Sequence, residues 1–95
     1  MASMFVKHRV ADYAAWKAIF DEQENARRQY GFTGHSLHRD PQDPKLLLVA
    51  LRANDVIKAQ EFARSDNLRQ VMIRGGVRGK PEIWFGDDIE EKAYS

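Results

Sequence analysis

Three histidines, a stripe of aromatic residues and one glycine-rich basic stretch are the parts of this chain equipped for chemistry. His8 stands in Met-Phe-Val-Lys-His-Arg-Val (Met4 to Val10), where alternation puts Met4, Val6, His8 and Val10 on one side and Phe5, Lys7 and Arg9 on the other. This is a strand pattern, and a titratable ring in the middle of its apolar face is the most informative single position. An imidazole ordinarily titrates near pH 6.5, and modest burial moves it around neutrality, so a buried one can serve as a general base. The alternative is a core histidine hydrogen-bonded to backbone or to Tyr13.

His35 and His38 lie three apart on one predicted strand, so their side chains point to opposite faces and cannot chelate one metal together. One of them joins His8 from the neighbouring strand. Which one depends on where strand pairing starts; His38 is assigned to the pocket, making His8 and His38 the candidate catalytic residues. No carboxylate or cysteine stands in matching register, and zinc usually takes three or four protein ligands, so no metal site is expected. Ser36 lacks a G-x-S-x-G elbow and is not read as a nucleophile.

The candidate substrate contacts are mostly aromatic. Asp12 offers a helix N-cap, and Tyr13, Trp16, Phe20, Gln23 and Arg27 follow at i, i+3, i+7, i+10 and i+14. One long amphipathic helix ending at Gly31 is predicted. Tyr13, Trp16 and Phe20 either line a pocket or fill the core, with Trp16 favoured as a cavity wall beside His8. Met72, from a later helical segment, and Trp84, from the last strand, complete the apolar set; either Trp84 or Phe85 faces the helices. The arginines are spread through the chain, most of them solvated or ion-paired, with Arg39 or Arg74 placed to polarise a substrate oxygen at the pocket mouth.

Further strands are predicted at Thr33 to Asp40 and Lys45 to Ala53, joined by the turn Asp-Pro-Gln-Asp-Pro as an antiparallel hairpin. Asn54 or Asp55 caps a second helix, and Ser65 or Asp66 caps a further segment with Leu68, Val71 and Met72. The last strand is predicted from Pro81 to Ile89. The order βαββαβ is the ferredoxin-like α+β arrangement, a four-stranded antiparallel sheet with helices on one face. Leu46 to Leu51 is a continuous apolar run, which suits a strand buried on both sides, and a second copy of the sheet is the simplest cover.

The stretch IRGGVRGKPEIWF (Ile73 to Phe85) invites a nucleotide reading and fails it. A phosphate loop needs G-x-x-x-x-G-K-[ST]; here Arg74 holds the first glycine's place and Pro81 that of the hydroxyl residue. The run also leaves a helix and enters a strand, the reverse of a phosphate loop. It is read as a connector, with Gly75 and Gly76 ending the helix and Pro81 opening the strand.

Ninety-five residues without a linker make one domain, 1–95, with a frayed acidic tail from about 88 to 95. With 43% hydrophobic and 31% charged residues the composition is that of a soluble globular protein. Fifteen basic residues against fourteen acidic ones leave +1, so nucleic acid and anionic lipid are not expected partners. Cysteine is absent, which removes disulfides and thiolate chemistry. MASMFVKHRV has no secretory apolar run, and no segment reaches the ~20 apolar residues of a membrane span, so a cytoplasmic protein is expected.

In the segments VKHRVADYAAWKAIFD (Val6 to Asp21), GFTGHSLHRDPQDP (Gly31 to Pro44), EFARSDNLRQVM (Glu61 to Met72) and GGVRGKPEIWF (Gly75 to Phe85), the chain resembles the dimeric α+β barrel superfamily. The likeness is to its small antibiotic-biosynthesis-monooxygenase-like and cyclase-like members. It implies a homodimer with sheets face to face and a pocket in each subunit between sheet and helices. It also implies a small aromatic or polyketide-like substrate, and a monooxygenase chemistry that needs no metal or flavin cofactor. Haem-degrading relatives take their iron ligand from a histidine in the second helical region, and Asn54 to Gly75 contains none. The expected function is therefore a cofactor-independent monooxygenase or cyclase. The alternative is a non-catalytic, dimeric hydrophobic-ligand-binding or stress-associated protein.

Overall fold

The computed structural model describes residues Met1 to Ser95. The elements in order are β1 (Ala2–Val10), α1 (Tyr13–Glu22), α2 (Glu24–Gln29), β2 (Phe32–Arg39), β3 (Leu46–Ala53), α3 (Val56–Ala63), α4 (Asp66–Arg74) and β4 (Val77–Asp87). The strands form one antiparallel sheet in the order β2-β3-β1-β4, with the helices on one face. This is the ferredoxin-like α+β fold expected from the element order.

Side-chain oxygens start three of the helices where the sequence offers them. Asp12 accepts from Ala15 N at 2.9 Å, Asp55 from Ile57 N at 2.9 Å, and Ser65 Oγ from Leu68 N at 3.1 Å. Gly31 takes φ +86, the left-handed conformation that ends the helical region, and a Cβ there would also displace the Asn54 side-chain oxygen.

The single helix predicted from Tyr13 to Gly31 is in fact two. The break falls at Gln23, whose N–H turns back to Phe20 O at 3.2 Å. The same carbonyl accepts Arg27 Nη1 at 2.7 Å, so a guanidinium folded back onto the backbone accompanies the interruption. No glycine or proline marks the place, which is why the periodicity ran through it.

β4 also differs from expectation, beginning at Val77 rather than Pro81. Most of the supposed connector is strand, and only Gly75 and Gly76 make the turn. Between the pairs Lys7↔Glu82 and Arg9↔Arg78 the register shifts, leaving Gly79, Lys80 and Pro81 bulged opposite His8. Gly79 adopts φ +73 and Pro81 has no N–H to offer, so this segment cannot sustain a regular ladder.

The core lies between the sheet and α1 and α3. Met4 and Val10 of β1 are fully enclosed, and Leu47, Val49 and Leu51 of β3 meet Trp16, Phe20 and Phe62 of the helices. The other face of the sheet is open. There Phe5 pairs with Trp84 and Ala50, while Leu48 stands 37% and Trp84 51% exposed. No helix of the fold is long and apolar enough to cross a membrane.

Candidate functional site

Alternation along β1 delivers His8 to the helix-facing side of the sheet, where it is only 5% exposed. On that face it lies in a row with Leu47 and Arg39, while its β4 side meets the bulge. The imidazole meets Trp16 in a T-shaped contact, 5.6 Å between ring centroids and 68° between planes. Trp16 stacks on Phe20 at 4.9 Å and 23°, and the Arg27 guanidinium lies 3.8 Å over the Phe20 ring. One continuous stack therefore runs from an imidazole to a guanidinium, built by residues 16, 20 and 27 of the predicted helical stripe.

Beside this stack is a cavity of about 60 Å³ between the sheet and all four helices. Of its 15 lining residues 11 are hydrophobic, and the polar four are His8, Gln23, Arg27 and Asn67. His8 Nδ1 and Arg27 Nη2 are both shut off from solvent without a hydrogen-bond partner. Buried polar atoms are nearly always paired, and each that is not costs about 1–3 kcal/mol. Both residues line this one apolar cavity.

Burial is the larger cause acting on His8 and holds it below its ordinary value of 6.5, countered only weakly by its own backbone carbonyl, which lies near the ring but outside hydrogen-bond geometry. It is thus the neutral ring at neutral pH, with one nitrogen free to accept a proton. The linked effect on stability follows. A base that is harder to protonate when folded favours unfolding once protons compete, so its contribution is intact above pH 6.5 and declines as pH falls below it. Urea unfolding at about pH 7.5 and about pH 5.5 should show lower stability at the acid value, and the His8→Leu variant should show a shallower decline. The same decline in both proteins would rule out the burial effect at His8. His35, also held below its usual value by burial and then by the Arg27 charge, accounts for a remaining slope of the same sign.

Of the other residues singled out from sequence, Trp16, Phe20 and Met72 line the cavity. His38 does not. The bulge between Phe32 and Gly34 puts one extra residue into β2, so His35 pairs with Leu51 on the helix side and His38 with Leu48 on the open side. His35 meets the Phe20 edge at 4.9 Å, whereas His38 shares a 2.9 Å hydrogen bond with Ser36 in solvent. Trp84 likewise faces away from the helices, and it is Ile83 and Phe85 that pair with Val6 and Met4. Tyr13 packs against Trp16 at 6.0 Å, outside the cavity lining, and the Arg39 guanidinium caps its ring at 5.1 Å. No three His, Asp or Glu side chains converge anywhere in the fold.

Arg27 lines the cavity, where the sequence singles out Arg39 or Arg74 as the arginine at the pocket mouth. Its signal was present, because it stands on the apolar stripe of the helix fourteen residues after Tyr13. Gln23 was on the same stripe, and Asn67 carried no mark at all.

No protein-family model matches the sequence, and no curated protein matches it. Solved structures do match the fold. A candidate antibiotic biosynthesis monooxygenase from Bordetella bronchiseptica is similar over 94% of this chain and 97% of its own, with 14% identity and a TM-score of 0.77. SnoaB, a cofactor-independent oxygenase from Streptomyces nogalater, is similar over 95% and 94%, at 11% identity and a TM-score of 0.74. Rv0793 from Mycobacterium tuberculosis is similar over 97% and 98%, at 13% identity and a TM-score of 0.68. At these identities the likeness is one of fold.

Proposed function

We propose that the chain is a cofactor-independent monooxygenase acting on an aromatic or polyketide-like small molecule in the cavity between sheet and helices. The observation that carries this reading is the buried His8 imidazole, its Nδ1 without a hydrogen-bond partner, on the wall of an apolar cavity. The similarity in fold to an oxygenase that works without a cofactor supports the reaction class.

The substrate this chemistry requires has a methylene made acidic by flanking phenolic rings or carbonyls. His8 accepts a proton from that carbon, and the resulting carbanion, delocalised as an enolate, passes an electron to dioxygen. Recombination forms a carbon–oxygen bond, and the peroxide oxygen takes a proton to give a hydroperoxide. Loss of the second hydrogen from the same carbon breaks the O–O bond, releasing water and leaving a ketone. Methylene and O₂ thus become carbonyl and H₂O. Apolar walls keep bulk water from the carbanion.

A cavity of about 60 Å³ is well below the ~300–1,000 Å³ of ordinary small-molecule sites. The wall able to yield is α4, which has no buried residue and contributes Leu68 and Met72. Those two side chains also line a groove of about 300 Å³ running along β4 past Val77, Pro81 and Ile83. Rotation of the flexible Met72 and of Leu68 would join cavity and groove into one volume of substrate size.

The test is oxygen uptake and product analysis with phenolic substrates bearing an activated methylene. Ketone formation supports the reading; a ligand that raises the melting temperature and is recovered unchanged supports the binding-protein alternative instead. A cyclised product without oxygen uptake would point to aldol chemistry begun by the same base.

The open sheet face gives the reading its partner, a second copy of the chain. Phe5, Leu48 and Trp84 form an apolar strip there that two copies would cover mutually. Light scattering at micromolar concentration should give the mass of two chains, and the Trp84→Asp variant that of one. A wild-type monomer would overturn the pairing.

A further inference from the structure

Arg27 is a buried cation without an anion. It is 5% exposed, and the two carboxylates that act on it, Glu24 and Asp21, are each engaged elsewhere, Glu24 with Arg28 at 2.9 Å and Asp21 with Lys17 at 2.6 Å. Phe20 supplies its carbonyl to Nη1 and its ring to the guanidinium face, while Nη2 has nothing. An arginine keeps its proton in proteins, so this side chain cannot escape the penalty of burial by becoming neutral.

The side chain is also a partition. On one side is the apolar cavity, and on the other an open cleft of about 350 Å³ bounded by Glu24, Arg28, Phe32, Thr33, Gly34 and His35. The cleft is polar, with Phe32 its one hydrophobic wall residue. His35 stands there with its ring against Phe20, and as a neutral imidazole it can donate one further N–H.

We propose that cavity and cleft are the two halves of one binding site for an aromatic oxyanion, a phenolate or a carboxylate, with Arg27 as its counter-ion. The rings lie in the apolar half, and the charged oxygen sits at the boundary where Nη2 lacks a partner. Charge-assisted hydrogen bonds to guanidinium are stronger and more directional than neutral ones, so the site selects for the ionised ligand over a neutral one of equal shape. This rests on the cavity being the ligand site of the proposed function, but not on turnover.

The experiment is calorimetric titration of the full chain at pH 8 with 2-naphthoate and an acidic nitronaphthol, each beside its neutral counterpart, 2-naphthamide and the methyl ether. At least one anion should bind tenfold or more tightly than its counterpart, and which one does identifies carboxylate or phenolate. Arg27→Met should bring the two to within about twofold, with the larger loss falling on the anion. The preference should survive high salt, because a buried pair is little screened. Equal affinities in the wild type, no binding of any of the four, or a preference that persists in Arg27→Met overturns the proposal. If Arg27→Met does not fold, the wild-type ratios decide alone. These probes carry no activated methylene, so this result and that of the oxygenase assay stand or fall separately.

Discussion

Turnover by the His8→Ala variant is expected to fall about 100-fold to 10,000-fold, the span a positioned general base supplies. At ~1.36 kcal/mol per tenfold this is roughly 2.7–5.4 kcal/mol of lost transition-state stabilisation. The effect is expected in kcat as well as kcat/KM, because the imidazole takes up a proton during reaction and contributes little to holding the substrate. Truncation also leaves a hole beside Trp16. Added imidazole should occupy that hole and restore part of the activity, which a merely structural histidine would not permit. In the wild type, activity should decline on the acid side as His8 becomes protonated, with a midpoint below 6.5 because burial favours the neutral ring. Unchanged turnover in His8→Ala would remove it from the mechanism.

The largest effect on stability is expected at Trp16. Its side chain is 5% exposed and joins the stack between His8, in a T-shaped contact, and Phe20, on which it lies nearly parallel. Removing a large buried aromatic costs about 3–5 kcal/mol. Domains of this kind are stable by about 5–15 kcal/mol in total, so Trp16→Ala consumes a large share and should lower the melting temperature by roughly 15 °C or more. Trp16→Phe should lose much less. Urea midpoints of the three proteins measure the difference, and a loss in Trp16→Ala under about 1 kcal/mol would show that the cavity beside the ring collapses freely.

What could be read from the sequence depended on whether the cause was local. Asp12, Asp55 and Ser65 cap the helices they precede because the chemistry of a cap lies within three residues. His8 was assigned its face correctly because β1 alternates without interruption as far as the bulge on its neighbour. His38 was assigned the wrong face because one extra residue near Thr33 reverses the parity of everything after it, and Gly34 alone does not announce a bulge. The break at Gln23 and the burial of Arg27 share one tertiary cause, a guanidinium bonded to Phe20 O, which no window of sequence contains. The start of β4 was misplaced because Pro81 was taken for a strand's first residue, when it sits in a bulge of an edge strand.

The two bulges have a consequence for how the sheet meets other protein. β2 and β4 are its edges, and each carries an interruption, at Thr33 and at Gly79 to Pro81. A foreign strand seeking to extend the ladder finds a regular template only beyond these points, and on β4 it also finds the proline without a donor. Natural sheets guard against runaway edge-to-edge growth in this way. The fold therefore blunts its lateral edges against polymerisation into fibres, while the apolar surface bearing Phe5 and Trp84 carries no such interruption.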